Sequence, residues 1–172
     1  MDCTIRKWQP KDKKALSENL SNPRILNNLR DGLPYPYTER DAEDYISAML
    51  STDPDKSFAF AVTLNDEAIG SISVFRGGNI HSRTAELGYY IGEAYWGNGY
   101  ATSAVRQVCA HVFAHTDIVR IYAEPFARNA ASCRVLEKAG FQLEGVLRSA
   151  AFKNGKTEDM KMYALLKGGY RE

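Results

Sequence analysis

A short glycine-containing segment near the middle of the chain carries the clearest chemical signal. Gly97 and Gly99 flank Asn98, directly after a strand-like stretch and directly before a helix-like stretch that begins near Tyr100. Glycines leave room for backbone N–H groups to converge, and the first turn of a helix adds unpaired amides and the positive end of its dipole. The segment therefore predicts a cradle for an anion such as a phosphate. An ordinary turn between a strand and a helix can contain the same glycines, so both interpretations stay open here.

Two common phosphate-binding motifs do not match this segment. Gly97-Asn98-Gly99 is not followed by the Lys-Ser/Thr pair of a Walker loop. The third glycine of the dinucleotide-binding fingerprint is also missing, and no acidic partner for a ribose follows on a next parallel strand. These mismatches argue against a nucleoside triphosphatase and against a nicotinamide-dependent oxidoreductase.

The apolar pattern predicts the elements that must position this turn. Predicted strands cover 3–8, 58–62, 68–75, 84–91, 119–124, 141–147 and 160–166, and predicted helices cover 10–20, 23–30, a segment capped by Thr38, a segment from Tyr100, and 129–139. Asn65-Asp66 and Asn154-Gly155 are predicted hairpin turns. No linker or repeat divides the chain, so the prediction is one α/β domain over residues 1–172.

Composition and charge narrow the classes of protein further. The chain has 172 residues, 44% of them hydrophobic and 25% charged, which is ordinary for one globular domain. Its formal net charge of +1 provides no field for gripping a nucleic acid. Apolar runs are too short for a membrane helix, no signal-peptide core is evident, and Cys3, Cys109 and Cys133 lack zinc-site spacing. We therefore expect a cytoplasmic protein that binds neither nucleic acid nor membrane.

Two linked segments resemble a known family. The first runs from Trp96 through the glycine turn to Ala104, and the second runs from Asn129 through Ser132 to Gly145. Together with the order of strands and helices, they resemble the GNAT family of N-acetyltransferases, in particular its Rim-type branch, over nearly the whole chain. The resemblance implies a mixed, mostly antiparallel sheet flanked by helices, with two central strands that splay apart.

The resemblance also implies that acetyl-CoA is the co-substrate and that no metal takes part. In such proteins the glycine turn holds the pyrophosphate, and the strand before it, here 87–91, hydrogen-bonds the pantetheine arm. The residues of this chain that would form that site are Tyr89, Tyr90, Ile91, Trp96, Gly97, Asn98, Gly99, Tyr100, Ala101, Thr102, Asn129 and Ser132. Trp96 stands where many members of the family begin the turn with Gln or Arg, a departure shared by the Rim-type branch.

The reaction that the resemblance implies is direct attack of a primary amine on the acetyl thioester. An alkylamine arrives mostly protonated at neutral pH, so a base must remove a proton first, and Glu86 is the candidate. A solvated strand glutamate with no role in the reaction is the alternative. Backbone N–H groups near Tyr90 and Ile91 would stabilise the negative charge that develops on the carbonyl oxygen.

The sequence lacks the residue that usually protonates the departing thiolate in this family. Many members of the family place a tyrosine three residues after Cys133, and this chain has Leu136 there. The Rim-type branch suggests Ser132 as the substitute, although a small polar residue also simply suits a helix start. The missing tyrosine motivates a second hypothesis, a non-catalytic acyl-CoA-binding or regulatory protein on the same scaffold.

The acceptor amine is predicted only as a class. A protein or peptide N-terminus and a small amine both fit the resemblance, and the oligomeric state, including a homodimer, stays open. The loop 32–37 is predicted to contact the acceptor through Tyr35 and Tyr37, since aromatic loops on rigid scaffolds often shape substrate sites. His111 and His115 have the spacing of metal ligands on a helix, but no third ligand accompanies them, so we expect no metal.

Overall fold

The computed structural model describes residues 2–170 and contains a seven-stranded sheet in the order β1-β2-β3-β4-β5-β7-β6. Its strands are β1 (Thr4–Lys7), β2 (Ser57–Leu64), β3 (Glu67–Arg76), β4 (Thr84–Ile91), β5 (Arg120–Ala123), β6 (Gln142–Lys153) and β7 (Lys156–Leu166). Its α-helices are α1 (Lys13–Leu20), α2 (Pro23–Leu26), α3 (Glu39–Leu50), α4 (Tyr100–His115) and α5 (Ala130–Lys138). β4 and β5 run parallel, whereas the other neighbouring strands run antiparallel. The predicted mixed, mostly antiparallel α/β fold is confirmed.

The sheet separates two apolar cores, because side chains alternate between its faces. Val62 of β2 packs in the main core with α4 and α5, whereas its neighbour Ala61 packs in the second core with α1 and α3. The amphipathic stripe predicted for α4 is the buried face of that helix, with Val105, Val108 and Val112 among its buried residues. Helices therefore cover both faces of the sheet. Among residues 2–170, none of these helices is long and apolar enough to cross a bilayer.

Several predicted boundaries need correction. The helix predicted over 23–30 is only the single turn of α2, and the residues after it form an irregular segment. The last two strands are longer than the predicted 141–147 and 160–166. Two register shifts in β6 allow the strand to continue through a stretch without regular alternation. Both predicted hairpin turns are present, and Asn154 and Gly155 have φ values of 51° and 76°.

The start of α3 has the predicted cap. Thr38 Oγ1 accepts a hydrogen bond from Asp41 N at 3.2 Å, and Asp41 Oδ2 accepts one from Thr38 N at 2.8 Å. The Thr38 hydroxyl also donates to Asp41 Oδ2, at 2.7 Å, and the hydrogen bonds from the hydroxyl and the amide of Thr38 lower the pKa of the Asp41 carboxyl. The stabilisation that the Asp41 carboxylate provides is therefore fully present at a pH above the ordinary aspartate pKa, and it is lost as the pH falls through the lowered pKa.

Replacing Thr38 tests this cap. We expect Thr38→Ala to lower the free energy of unfolding by about 1 kcal/mol, because an amide at the helix start loses its acceptor. Thr38→Ser keeps the hydroxyl and should stay close to the wild type. Urea unfolding followed by circular dichroism compares the two variants, and equal losses in both would show that the hydroxyl is not what stabilises α3.

The parallel pair β4–β5 parts soon after it begins. Their paired residues are Thr84 with Arg120, Ala85 with Ile121, and Glu86 with Tyr122. Beyond Glu86, β4 stays paired with β3 as far as Ile91 and diverges from β5. Trp96 Nε1 donates a hydrogen bond to the Ile91 carbonyl oxygen at 2.7 Å, which fixes the turn after β4 to the end of the strand. The predicted splay is confirmed.

Candidate active site

A large cleft occupies the gap between the splayed strands, with a volume of about 1260 Å³. Its walls come from β4, the turn after β4, the start of α4, the start of α5, the β6–β7 hairpin and the residues 24–31 that contain and follow α2. Of the predicted cofactor residues, Tyr89, Tyr90, Ile91, Trp96, Gly97, Gly99, Tyr100, Ala101, Thr102, Asn129 and Ser132 line it, as does Glu86. A cleft of this size exceeds an ordinary small-ligand pocket and has room for a long ligand together with a second one.

The glycine turn is open at the positions where its glycines were predicted to matter. Gly97 and Gly99 both have φ of 80°, a left-handed conformation that favours glycine, and a Cβ at either position would meet no atom within 4 Å. Gly99 is the N-cap of α4 and has no side chain to accept from the first amides of that helix. Amide N–H groups and free space therefore coincide there, as an anionic group such as a pyrophosphate requires.

Asn98 does not belong to the cleft. Its side-chain amide donates back to the carbonyl oxygens of Tyr95 and Trp96, at 3.2 and 3.1 Å. Its side chain therefore closes the turn upon itself, and contact of the Asn98 backbone amide with the cofactor stays a prediction.

Basic side chains line the cleft, of which Arg24 is already paired with a carboxylate. Arg24 pairs with Glu93, and its guanidinium carbon lies 5.2 Å from the centre of the Trp96 ring. Arg134 and Lys138 of α5 also line the cleft. Such cations suit phosphate groups, but their arrangement depends on helices that are distant in sequence, so no motif could have shown it.

Successive side chains of β4 point to opposite faces of the sheet. Leu87 and Tyr89 pack toward the main core below α4 and α5, whereas Tyr90 packs against the second core. Glu86 shares the parity of Tyr90 and therefore projects on the face of α1 and α3. Glu86 and Ser132 consequently approach the cleft from opposite faces of the sheet.

The backbone of β4 alternates in the same way, which corrects the position of the predicted oxyanion donors. Gly92 N donates to Ile69 O of β3 at 2.7 Å, so the backbone groups of Tyr90, two residues earlier, also face β3. The backbone groups of Tyr89 and Ile91 point the opposite way and face the cleft. The Tyr90 hydroxyl is buried beside Tyr37 and Tyr45, and that burial raises its pKa, so this residue contributes neither its amide nor its hydroxyl to the site.

Glu86 lies at the fork where β4 and β5 separate. Its carboxylate pairs with Arg30, and the same guanidinium nitrogen, Nη2, lies 3.6 Å from Glu124 Oε2. Both carboxylates are about a quarter exposed, at 28% and 26%, whereas Arg30 is 69% exposed. The pKa of Tyr122 is raised by burial and by these two negative charges. Two carboxylates therefore converge on a place that a cation occupies in this structure.

Ser132 is held at the start of α5 by hydrogen bonds on both sides. Its amide donates to Asn129 Oδ1 at 3.2 Å, and its hydroxyl oxygen lies 2.8 Å from the Tyr89 hydroxyl. Burial raises the pKa of Tyr89 to about 12, so its hydroxyl stays protonated across the ordinary pH range. Leu136 is fully buried in the main core, as an apolar residue there should be.

The predicted acceptor aromatics do not line the cleft. Tyr37 is buried in the second core, and its hydroxyl donates to the Asp41 carbonyl oxygen at 3.3 Å. Tyr35 is 63% exposed and also lies outside the residues that form the cleft. The prediction of acceptor contact by Tyr35 and Tyr37 is therefore corrected.

The segment 24–31 lines this end of the cleft instead. Arg128 donates to Asn28 Oδ1 at 2.6 Å and to the Asn27 carbonyl oxygen at 2.7 Å. Lys153, at the tip of the β6–β7 hairpin, pairs with Asp31 at 2.7 Å. These contacts join residues about a hundred positions apart, which explains why local sequence patterns pointed to the neighbouring aromatic loop.

The two histidines of α4 lie against one another. The rings of His111 and His115 stack with their centres 4.6 Å apart, and His115 Nδ1 is hydrogen-bonded to the His111 carbonyl oxygen at 2.8 Å. Within residues 2–170, no group of three or more His, Cys, Asp or Glu side chains could hold a metal ion.

Comparison with known proteins agrees with this geometry. A family model described as an acetyltransferase (GNAT) domain matches residues 2–142. The probable N-acetyltransferase YjcK of Bacillus subtilis is 38% identical over 117 residues, which are 68% of this chain and 65% of that protein. The putative ribosomal N-acetyltransferase YdaF of the same organism is 30% identical over 174 residues, covering 95% of this chain and 91% of that protein.

A solved structure shares the fold. RimL, a ribosomal L7/L12 alpha-N-protein acetyltransferase in complex with coenzyme A, superposes with a TM-score of 0.85 at 23% identity, over 96% of this chain and 94% of that one. The predicted resemblance is confirmed by the family model and by both relatives. The splayed strands, the open glycine turn and these matches together show that the chain belongs to the GNAT family of acetyltransferases.

Proposed function

We propose that this GNAT acetyltransferase moves the acetyl group of acetyl-CoA to a primary amine that binds beside Glu86, with Glu86 as the base and Ser132 as the acid. Acetyl-CoA supplies the activated carbonyl carbon when bound. The open glycine turn and the amides at the start of α4 fit its pyrophosphate, and the cleft-facing backbone of Tyr89 and Ile91 fits its extended arm. Every other step depends on side chains and backbone amides of this chain.

The observation that carries the proposal is the placement of Glu86 and Ser132 on opposite faces of the parted strands. Glu86 takes a proton from the incoming ammonium on one face, directly or through a water. The β4 amides that face the cleft are the donors for the carbonyl oxygen as negative charge develops there, and that of Tyr89 is nearer to Glu86 than that of Ile91, which lies five residues beyond Glu86 along the strand. The hydroxyl of Ser132 lies on the other face, where the thiol departs. This geometry supports direct attack without a covalent enzyme intermediate.

The charge around the acceptor end favours a cationic amine. Glu86 and Glu124 both contact the exposed guanidinium of Arg30, so an acceptor ammonium can replace that guanidinium between them. The replacement exchanges one cation for another and leaves neither carboxylate unpaired. The names of YdaF and RimL indicate protein acceptors, and an N-terminal amine would enter through this exposed side.

Binding and turnover measurements separate the enzyme from a non-catalytic acyl-CoA-binding protein. We expect acetyl-CoA at about 100 times its Kd to stabilise the protein by about 2.7 kcal/mol, measured by thermal shift. Thiol release should then depend on an added amine, with peptides bearing free N-termini and small polyamines as the two arms of the panel. Stabilisation without thiol release from any amine would favour the binding protein, and no stabilisation would contradict the cofactor site itself.

A further inference from the structure

One hydrogen bond joins a strand and a helix that both line the cleft. The hydroxyl of Tyr89, on β4, lies 2.8 Å from Ser132 Oγ and 3.3 Å from the Ser132 carbonyl oxygen, on α5. Both residues line the cleft. The contact therefore links the two walls that the parting of β4 and β5 has separated.

Ser132 by itself is a weak proton donor, because an alcohol that gives up its proton becomes a strongly basic alkoxide. Its amide is already committed to Asn129 Oδ1, and this hydrogen bond fixes its position in the first turn of α5. The hydroxyl hydrogen can point either to Tyr89 or into the cleft. A donor that bonds to Ser132 Oγ decides between these orientations and stabilises the oxygen as its proton leaves.

We propose that Tyr89 is the positioning residue and proton relay behind Ser132, donating its hydroxyl hydrogen to Ser132 Oγ so that the serine hydroxyl points at the departing sulfur. The inference rests on the acid role of Ser132 given under the proposed function. It assigns a task to the Tyr89 side chain, which the family resemblance places in the site only through the strand that carries it.

Glu86 first takes one proton from the ammonium and passes it to solvent. The neutral amine nitrogen then forms a bond to the carbonyl carbon and gives a second proton to Glu86, while the carbon–sulfur bond breaks and its electron pair stays on sulfur. Sulfur takes the proton of Ser132 Oγ, and that oxygen takes the proton of Tyr89. Tyr89 is reprotonated from solvent as the products leave, and Glu86 returns its proton to solvent.

The surroundings of Tyr89 suit this task. The hydroxyl lies against the main core, and its burial raises the pKa to about 12, so the phenol is a hydrogen-bond donor throughout the pH range in which the enzyme would work. Tyr163, the other buried tyrosine near Cys133, is bonded to Glu137 at 2.8 Å and is not among the residues that line the cleft. Tyr89 is therefore the tyrosine in position to assist Ser132.

The test compares Tyr89→Phe, Ser132→Ala and the double variant in single-turnover assays with acetyl-CoA and an accepted amine. We expect Tyr89→Phe to lower the acetyl-transfer rate by about 10-fold, with the Kd for acetyl-CoA changed by less than about twofold. The double variant should be no slower than Ser132→Ala, because the two residues act as one unit. Tyr45→Phe, which removes a tyrosine hydroxyl on α3 outside the cleft, is the control and should leave the rate unchanged.

A second measurement reports on the sulfur without turnover. The thiol of bound coenzyme A is titrated by the ultraviolet absorbance of its thiolate, in the wild type and in both single variants. Hydrogen bonds that favour the thiolate lower the thiol pKa, so we expect a lower pKa in the wild type than in Tyr89→Phe or Ser132→Ala.

The outcomes separate this inference from the proposed function. If Ser132→Ala is slow and Tyr89→Phe matches the wild type in rate and in thiol titration, Tyr89 only packs against Ser132 and the relay is wrong. Multiplicative losses in the double variant also contradict it. If Ser132→Ala itself is as fast as the wild type, the acid role of Ser132 fails and the relay fails with it.

Discussion

Glu86→Gln is expected to lower kcat/KM for an alkylamine by about 100-fold at pH 7, the lower end of what a general base usually contributes. At pH 9.5 we expect the loss to shrink to less than about 10-fold, because much more of an amine with a pKa near 10.4 is already neutral. The glutamine keeps the size of the side chain and its place at the fork of β4 and β5. A pH profile of the initial rate measures both values.

Glu124→Gln is the matched control for this substitution. It removes the same charge from the other carboxylate near Arg30, and both side chains have similar exposure. We expect it to raise KM for the acceptor several-fold and to leave the pH dependence of kcat unchanged, since it contributes to binding alone. Full activity of Glu86→Gln at every pH would end its assignment as the base. Equal, pH-independent losses in both variants would assign Glu86 to electrostatic binding instead.

Gly99→Ala is expected to weaken the binding of coenzyme A by at least 10-fold, measured by isothermal titration calorimetry. The added methyl group enters the open space where the first amides of α4 converge, and it favours a backbone change away from the φ of 80°. The same strain should lower the free energy of unfolding by about 1–2 kcal/mol.

Gly155→Ala controls for that strain. Gly155 has φ of 76°, has no neighbour within 4 Å of the added Cβ, and lies in the β6–β7 turn outside the residues that line the cleft. It should lose a similar amount of stability and keep its affinity for coenzyme A. If both alanine variants bind coenzyme A as the wild type does, the glycine turn is not the pyrophosphate site.

The sequence predicted those parts of the fold that local patterns determine. Alternation defined β4, the three- and four-residue spacing defined α4, and the residues Asn154-Gly155 defined a turn that accepts positive φ. The cofactor half of the site lies on these elements. The structure therefore brings most of the residues predicted for the cofactor to one cleft, whereas Asn98 is not among the lining residues and the amide of Tyr90 faces β3.

At the proposed acceptor side, Glu86 was predicted, whereas the residues around it were not, because contacts between residues distant in sequence bring them there. Arg30 reaches Glu86 and Glu124, and Lys153 reaches Asp31, across separations of 56 residues or more. The periodic patterns of a sequence indicate local structure and do not reveal such distant pairs. Tyr37 was predicted to contact the acceptor but is buried in the second core. An aromatic residue in a proline-rich loop gives the same sequence pattern in both cases.

The parting of β4 and β5 bears on how an enzyme of this fold can come to accept a different amine. On the proposed assignment, the glycine turn binds the diphosphate of acetyl-CoA, and Glu86 and Glu124 bind the amine at the fork of β4 and β5, so the donor and the acceptor would occupy different parts of the cleft. Residues 27–31 contact the tip of the β6–β7 hairpin, through Asp31 with Lys153 and Asn27 with Asn154, on the side of the fork that holds Arg30. On that assignment, substitutions there would change which amine is accepted and leave the glycine turn unchanged.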